Sequence, residues 1–323
     1  MTNLINDPSY SHEGTSNWEA YWYGVGLHMT PRLGPIQLDI ETNTGCNSKC
    51  KKCTEYTSPL PHVRMDFEDI KNLIDGGDEY DLRSIKHNYR GEPLLYEDVE
   101  DLWSYAKRKK LFVHFNTNGL LLSVPQINSL IRNRVDEILI TIDTSKPEVY
   151  KELTGHLGFE TLKERLTILQ ILKQFYDTKK PVVRVQAVIQ PENKDEIESG
   201  EYEKFWRSFA DQIGFMDMFD LLDNTPNQTE LPKWHCEQLW QRLIILVDGT
   251  VLPCCCGIDL AEGKIYSVGN IFDNTIREIW NSPRLRHMRA MHKEGKSHAI
   301  EMCRKCRLRK YVINNWEAKN AKD

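Results

Sequence analysis

The sequence of 323 residues predicts an α/β fold, in which a partial barrel of six β–α units is followed by a small α+β domain. Strand-like and helix-like runs alternate from residue 35 to about residue 230, as in parallel sheets with right-handed crossovers. Beyond this point, hairpin and cysteine patterns replace the alternation. The predicted divisions are an N-terminal arm (1–34), the barrel (35–230), a cysteine-rich domain (231–312) and a tail (313–323).

The arm contains the aromatic run WEAYWYGVG and ends in TPRLGP, a breaker stretch. We expect it to pack against the rest of the chain, the commoner role for such aromatics, or to cover a site as a lid. The predicted strands, in order, are IQLDIET, LRSIKHNY, LFVHFNTNG, EILITIDT, VVRVQAVIQ and FDLLDN. The predicted helices are MDFEDIKNLIDGG, YEDVEDLWSYAKRKK, VPQINSLIRNR, two stretches from Pro147 to Tyr176, and EYEKFWRSFADQI.

The last third of the chain has a different pattern. LIILVDGTVLPCC predicts a β-hairpin that turns at Asp248–Gly249. NTIREIWNSPRLRHMRAMHKEG predicts a helical stretch broken at Ser-Pro, and CRKCRLRK closes the unit. The tail NNWEAKNAKD is expected to fray.

Composition excludes some classes of function and favours others. The net charge of −5 gives no general argument for a nucleic-acid partner. No signal peptide is apparent, and the longest apolar run, LIILV, is too short to span a bilayer. We therefore expect a cytoplasmic protein without a membrane or nucleic-acid partner. Nine cysteines in a reducing compartment favour metal sites or catalysis over disulfides.

Polar segments follow four of the predicted strands: the cysteine loop, RGEP, NTNG and DTS. The carboxyl ends of parallel strands meet at one edge of the sheet, where such folds bind ligands. The cysteine loop has the spacing C-x3-C-x2-C, with Cys46, Cys50 and Cys53. Three thiolates can hold three corners of a [4Fe–4S] cluster and leave one iron open. The alternative is zinc, but a structural zinc site needs four ligands and no fourth is local.

This spacing after a first strand resembles the radical S-adenosylmethionine (SAM) superfamily, whose fold is a partial TIM-like barrel. The resemblance implies that the open iron binds the amino and carboxylate groups of SAM. One electron then cleaves SAM to a 5′-deoxyadenosyl radical, which removes a hydrogen atom from substrate. Lys52 stands where the family usually carries an aromatic residue, and Tyr56 could contact the adenine instead.

The same resemblance assigns SAM contacts to residues in the segments that follow later strands. Turn formation and capping are the alternative roles of the loop residues among them. The assigned positions are Gly91, Glu92, Pro93, Asn116, Asn118, Thr141, Asp143 and, within the fifth strand, Arg184. Glu92 would accept a hydrogen bond from the amino group of SAM. Arg184 would face the barrel interior and pair with the SAM carboxylate.

The second cysteine group contains Cys236, Cys254, Cys303 and Cys306, with the segments DG-x-V-x-P-C, GN and IW between them. This pattern resembles the SPASM/twitch extension of radical SAM proteins, which implies one auxiliary [4Fe–4S] cluster with four cysteine ligands. A zinc knot is the alternative. Cys255 and Cys256 are left over. Either could replace Cys254 as a ligand, pack as a small apolar residue, or donate a hydrogen atom to a substrate radical as a catalytic thiol.

The predicted function is hydrogen abstraction from a polar small molecule, such as a sugar, aminocyclitol or related natural product. The one-cluster pattern is similar to that of aminocyclitol dehydrogenases and favours oxidation of an alcohol. An epimerase using a cysteine thiol, a peptide-modifying enzyme and a non-enzymatic metal protein remain alternatives. Basic residues around the last cysteines are expected to form a solvated face that compensates the cluster and could dock a flavodoxin or ferredoxin. They are Arg304, Lys305, Arg307, Arg309 and Lys310.

Overall fold

The computed structural model describes residues 17–30, 32–53, 61–220, 222–231 and 234–320. The strands in these residues are β1 (Gln37–Ile40), β2 (Ser84–Lys86), β3 (Phe112–Thr117), β4 (Glu137–Thr141), β5 (Val182–Ile189), β6 (Gln212–Asp217), β7 (Arg242–Ile245), β8 (Thr250–Leu252), β9 (Ile258–Asp259), β10 (Lys264–Ile265) and β11 (Gly269–Asn270). The helices before β7 are α1 (Asn17–Leu27), α2 (Phe67–Gly76), α3 (Val99–Arg108), α4 (Val124–Arg132), α5 (Pro147–Thr154), α6 (Phe159–Phe175), α7 (Lys194–Glu198), α8 (Glu201–Trp206) and α9 (Gln238–Gln241). Those after β7 are α10 (Ile276–Trp280), α11 (Pro283–Lys293), α12 (Glu301–Arg304) and α13 (Arg307–Asn320).

One sheet of nine strands organises the fold, in the order β11-β8-β7-β1-β2-β3-β4-β5-β6. Strands β1 to β6 are parallel and each is adjacent to the next along the chain, which confirms the predicted β–α alternation. β7 adds to the free edge of β1 in parallel, β8 pairs antiparallel with β7, and β11 pairs antiparallel with β8. The predicted hairpin therefore extends the barrel sheet into the C-terminal part of the chain.

Alternation along β5 shows which face of the sheet is buried against the helices. Val183, Val185 and Ala187 belong to the main hydrophobic core, which also includes residues of α3, α4 and α6. Arg184 and Gln186 lie between them and therefore point to the opposite, concave face. The sheet thus has an apolar outer face and a concave face that carries polar groups.

The sixth strand lies earlier than predicted. FDLLDN begins at residue 219, but residues 218–220 and 222–231 form no helix or strand, whereas β6 spans Gln212–Asp217. The helix predicted for EYEKFWRSFADQI ends at Trp206. The segment Gln212–Asp217 is therefore available to pair with β5. Ile213 and Phe215 of β6 pack against the core, so burial rather than the local apolar content of FDLLDN decides where the strand forms.

The described part of the arm is a packing helix. Trp22 and Val25 of α1 form a small cluster with Ile36, immediately before β1. The guanidinium of Arg242, at the start of β7, lies 5.1 Å from the centre of the Trp22 ring. α1 therefore covers the end of the sheet at which β1 and β7 begin, and it is not a lid over their carboxyl ends.

The remaining C-terminal elements follow the sequence closely. The β7–β8 hairpin turns at Asp248 and Gly249, with φ +80° at the glycine. α10 and α11 are separated at Ser282, whose side chain caps α11. The tail, expected to fray, continues α13 as far as Asn320. In the part of the chain that the structure describes, each helix is too short or too polar to cross a bilayer.

Candidate functional site

The cysteine loop follows β1 directly and is fixed by backbone contacts on both sides. The backbone nitrogens of Lys49 and Lys51 donate to carbonyl oxygens at the end of α5 at 3.3 and 3.1 Å. Within the loop, the nitrogen of Cys53 donates to the oxygen of Cys50 at 2.9 Å. Burial raises the pKa of the Cys50 thiol to about 12, and the neighbouring Cys53 and Cys46 thiols also raise it. Three mutually interacting thiols on one short loop suit a bound iron–sulfur cluster, whose positive irons would favour their thiolate forms.

The segment after β2 lies against the cysteine loop. Gly91 has φ +70°, and a Cβ added there would lie 2.7 Å from the carbonyl oxygens of both Asn43 and Gly45. Next to it, the nitrogen of Glu92 donates to the oxygen of Gly45 at 2.7 Å. Only glycine combines this backbone conformation with so close an approach of two main chains.

Glu92 connects three of the loops at the carboxyl ends of the strands, a region that we call the mouth. Its carboxylate accepts hydrogen bonds from Thr117 Oγ1 at 2.6 Å, from the nitrogen of Asn118 at 2.8 Å and from the nitrogen of Leu94 at 3.1 Å. The side chain is buried, and this burial raises its pKa to about 7. A carboxylate has about four acceptor positions, so one remains for a further donor such as the amino group of SAM. Pro93 begins the 3₁₀ turn Pro93–Leu95 that Glu92 caps.

The NTNG segment contacts the cysteine loop through a side chain. Asn118 Nδ2 donates to Asn47 Oδ1 at 2.7 Å, next to Cys46. The nitrogen of Asn116 donates to Asn88 Oδ1 at 3.0 Å, which ties the end of β3 to the end of β2. The side chain of Asn118 therefore holds the cysteine loop in place. A contact between Asn118 and SAM stays a prediction.

Asp143 follows β4 and is engaged by the cysteine loop. Its carboxylate forms an ion pair with Lys52 and accepts a hydrogen bond from the nitrogen of Val188 at 2.9 Å. The side-chain exposures are 14% for Lys52 and 4% for Asp143. Thr141 lies two residues earlier, on the same concave face of β4, in register with Gln186.

The other two predicted SAM contacts have different outcomes. Arg184 is fully buried on the concave face, and its guanidinium occupies the space that a side chain at Gly214 would fill. Its pairing with the SAM carboxylate stays a prediction. Tyr56 lies outside the described residues.

The second cysteine group is brought together from four segments. Cys236 precedes α9, Cys254 to Cys256 follow β8, Cys303 lies in α12, and Cys306 precedes α13. The sulfurs of Cys255 and Cys256 are 3.9 Å apart, and Cys256 also contacts the Cys306 thiol. Burial raises the pKa of Cys236 to about 12 and raises that of Cys303 above its usual range.

Buried cysteine thiols from several segments are the donors that a [4Fe–4S] cluster uses, so this group fits an auxiliary cluster. Among the described residues, no three histidine, cysteine or carboxylate side chains are placed to bind a single metal ion. The structure places Cys254, Cys255 and Cys256 together in this group, and which of them is the fourth ligand stays a prediction.

A tyrosine in the segment after β2 contacts the second cysteine group. Tyr89 follows β2, two residues before Gly91, and its hydroxyl donates to the carbonyl oxygen of Cys255 at 3.0 Å. The adjacent Arg90 forms a salt bridge with Glu41 at 2.5 Å, at the start of the cysteine loop. The second cysteine group therefore borders the mouth on the β2 side.

The basic residues near the last cysteines do not form one solvated face, contrary to expectation. Lys305 pairs with Glu262 at 2.6 Å, and Lys310 pairs with Asp223 at 2.6 Å. Arg309 is 1% exposed and donates to neutral oxygen acceptors, including Ser297 Oγ at 3.0 Å. The helical periodicity of α13 turns Arg309 inward, towards the cysteines.

Several residues in the site were not found by sequence reasoning. His292 lies on α11 between Cys236 and Cys303, within hydrogen-bonding distance of both. Asn193 donates to the backbone oxygen of Asp143 at 2.6 Å, and Glu196 accepts from Ser145 Oγ at 2.7 Å, so both hold the loop after β4. A single buried histidine or a polar residue after a strand carries no local signal, because its partners are distant in sequence.

Two family models match the chain. Residues 40–199 match the radical SAM superfamily, and residues 236–307 match an iron–sulfur cluster-binding domain called SPASM. These ranges include both cysteine groups. The two models imply an SAM-binding [4Fe–4S] cluster and an auxiliary iron–sulfur site.

Curated relatives and solved structures agree with these matches. A tungsten-containing aldehyde ferredoxin oxidoreductase cofactor-modifying protein of Pyrococcus furiosus is 22% identical, over 84% of this chain and 87% of its own. An S-adenosyl-L-methionine-dependent 2-deoxy-scyllo-inosamine dehydrogenase of Niallia circulans is 23% identical, over 83% and 91%. The crystal structure of Streptococcus suis SuiB bound to its precursor peptide SuiA has a TM-score of 0.64 at 14% identity, over 92% and 79%. Because the identity to SuiB is only 14%, this similarity shows the fold alone.

Proposed function

Because this chain belongs to the radical SAM superfamily and carries a C-terminal SPASM domain, we propose that it oxidises an alcohol group of a polar small molecule to a carbonyl. Cys46, Cys50 and Cys53 would hold the SAM-binding cluster, and Cys236, Cys254, Cys303 and Cys306 the auxiliary cluster. When bound, SAM and the two clusters supply a 5′-deoxyadenosyl radical that removes a hydrogen atom from substrate, and an acceptor for the second electron. A flavodoxin or ferredoxin is the proposed reductant.

The observation that carries this proposal is the contact between Tyr89 and Cys255. It ties the second cysteine group to the segment that also bears Gly91 and Glu92, where SAM would bind. An oxidation needs a nearby electron acceptor, and the contact supports a short path between substrate and the auxiliary site. The similar dehydrogenase of Niallia circulans aligns with 83% of this chain.

The concave face of the barrel supports a polar substrate. Asn116 and Thr141 lie on this face near the carboxyl ends of β3 and β4, and Gln186 of β5 lies beside Thr141. Hydroxyl and amide groups there can exchange hydrogen bonds with hydroxyl or amino groups of a ligand. A substrate rich in such groups would satisfy them better than an apolar one.

Epimerisation is a second candidate, favoured by the extra thiols. Cys255 Sγ lies 3.2 Å from Gln238 Nε2 and 3.9 Å from Cys256 Sγ, so two cysteines beyond the four expected ligands lie beside the auxiliary site. A thiol there could return a hydrogen atom to a substrate radical, and the resulting thiyl radical would be restored by one electron from the reductant and one proton. Exchange of the thiol proton with solvent would make the returned atom deuterium in D₂O. The product would then have the opposite configuration at one carbon.

Product mass distinguishes these reactions. The anaerobically reconstituted enzyme would be incubated with SAM, dithionite and a panel of hydroxylated or aminated metabolites and short peptides, and 5′-deoxyadenosine and products measured by mass spectrometry. We expect a small-molecule product lighter by two hydrogens, and deuterium from a labelled carbinol carbon recovered in 5′-deoxyadenosine. A product of unchanged mass in H₂O, with one deuterium gained in D₂O, would instead establish epimerisation. Turnover confined to peptides would establish peptide modification, and zinc in place of iron would overturn all three.

A further inference from the structure

His292 lies between two cysteines predicted to hold the auxiliary cluster. It is 2% exposed and lies on α11, next to the ring of Trp234, whose centre is 5.9 Å away. Its ring nitrogens contact segments far apart in sequence. The nitrogen of Cys236 is 3.1 Å from Nδ1, and the sulfur of Cys303 is 3.4 Å from Nε2.

These two contacts determine the position of the imidazole proton. A backbone N–H can only donate, so Nδ1 must accept the hydrogen bond from Cys236 and cannot carry a proton. The proton of a neutral ring then lies on Nε2, directed at the sulfur of Cys303.

We propose that His292 is a positioning residue of the auxiliary site, whose Nε2–H donates a hydrogen bond to the sulfur of Cys303 and raises the reduction potential of the cluster bound there. Reduction adds negative charge to a cluster and its sulfurs. A donor directed at a ligand sulfur stabilises that form more than the oxidised one. The hydrogen bond and its effect on the reduction potential do not depend on the proposed function. The use of the higher potential, which is uptake of the second electron from the substrate, rests on it.

Two substitutions separate this role from simple packing. In His292→Asn the side-chain oxygen can still accept from Cys236, but the amide is too short to reach Cys303. In His292→Gln the longer side chain can place an N–H near the position of Nε2. Full-length, anaerobically reconstituted variants would be titrated with mediators while EPR follows both clusters, without substrate.

We expect His292→Asn to shift the auxiliary cluster to a lower potential, whereas His292→Gln stays near the wild-type value. The SAM-binding cluster should keep its potential in both and serve as the internal reference. A wild-type auxiliary potential in fully iron-loaded His292→Asn, or an equal fall in His292→Gln, would overturn the proposal. Because product mass tests the proposed function and the potential tests this one, the two can fail separately.

A spectroscopic measurement covers the case in which His292→Asn does not bind the auxiliary cluster. The full chain with Cys46, Cys50 and Cys53 all changed to alanine keeps only the auxiliary site, and can be labelled with ¹⁵N-histidine. Pulsed EPR of its reduced cluster should show a weak ¹⁵N coupling that disappears when His292→Gln is added. No coupling, or a coupling that survives this change, would refute the hydrogen bond.

Discussion

Lys52 and Asp143 form an ion pair that joins the cysteine loop to the end of β4. Lys52 is located between two of the three cysteines predicted to hold the SAM-binding cluster, and the carboxylate of Asp143 is almost completely buried. At this position the family usually has an aromatic residue. In this chain Lys52 instead anchors the cysteine loop through its ion pair with Asp143. The ion pair links the cluster site to the predicted SAM contacts at the end of β4.

Removal of this ion pair should destabilise the protein. Lys52→Met leaves the buried carboxylate of Asp143 without its cation, which we expect to cost about 3 kcal/mol, at the lower end for buried pairs because Lys52 keeps some exposure. Lys51→Met is the matched control, since Lys51 pairs with Glu152 on the surface, where such pairs contribute about 0–1 kcal/mol. Anaerobic urea unfolding of both variants measures the difference. Equal losses would contradict a stabilising role for the Lys52 pair.

Gly91 should be required for loading the SAM-binding cluster. In Gly91→Ala the new methyl group would collide with the backbone oxygens of Asn43 and Gly45 and displace the cysteine loop. Gly155 has a similar φ of +71° with open space around it, so Gly155→Ala tests the backbone strain alone. We expect Gly91→Ala to retain about half of the wild-type iron, held at the auxiliary site, while Gly155→Ala retains nearly all. Full iron content in both variants would disprove this explanation.

Binding of SAM should strengthen as the pH rises through about 7. Burial raises the pKa of Glu92 to about 7, so its carboxylate is largely protonated at pH 6 and largely ionised at pH 8. Only the ionised form attracts the amino group of SAM fully, and one pH unit below the pKa about nine-tenths of that form is lost. We expect ionisation of Glu92 to account for about tenfold weaker binding at pH 6 than at pH 8, measured by equilibrium dialysis with the cluster-loaded enzyme.

The control for this pH dependence is Glu92→Gln, which cannot ionise. Titration of SAM itself affects both proteins equally, so the difference between their profiles isolates Glu92. If both profiles have the same slope, ionisation of Glu92 does not control SAM binding.

The three consecutive cysteines should differ in their effect on the auxiliary cluster. Cys254 has the spacing from Cys236 that the family resemblance assigns to a ligand, so we expect Cys254→Ala to lower auxiliary iron most. Cys255→Ala and Cys256→Ala should retain near wild-type iron and form 5′-deoxyadenosine. Iron analysis combined with EPR of each variant measures this. A greater iron loss in Cys256→Ala would identify Cys256, which contacts Cys306, as the ligand instead.

Arg307 should influence the auxiliary cluster through its charge. It begins α13, immediately after Cys306, and lines the same cavity as Cys256. A cation beside an anionic cluster favours the reduced state, so Arg307→Gln should lower the auxiliary potential and Arg307→Lys should restore most of the difference. Arg286→Gln, which removes an exposed arginine of α11, should leave the potential unchanged. An identical shift in Arg286→Gln would indicate an effect of net charge alone.

Local patterns in the sequence were sufficient for the barrel, the hairpin and the grouping of the cysteines. The alternation of β5 between Val183 or Val185 and Arg184 is a property of the strand period, so it can be read without knowing the fold. The turn at Asp248–Gly249 and the break at Ser282 are equally local, because each depends on the conformational preference of a few adjacent residues. These features needed no tertiary information.

Sequence reasoning failed where distant partners compete. FDLLDN is apolar enough for a strand, but Gln212–Asp217 obtains the pairing with β5 and the core contacts. The basic residues after Cys303 look alike in sequence, yet Lys305 finds a surface carboxylate whereas Arg309 is buried. Both outcomes depend on which parts of the folded chain pack together. The conformational preferences of neighbouring residues do not contain that information.

The sequence by itself determined the chemistry available to this protein: two sets of thiols on a β–α framework, at spacings that iron–sulfur clusters require. Only the tertiary structure decided how those sets are supported. Lys52 reaches Asp143, Tyr89 reaches Cys255, and His292 reaches Cys303 across separations that range from 11 to 166 residues. The physical reason is that covalent spacing fixes which ligands share a loop, whereas hydrogen bonds and ion pairs form between whichever groups the packed core brings within about 3 Å.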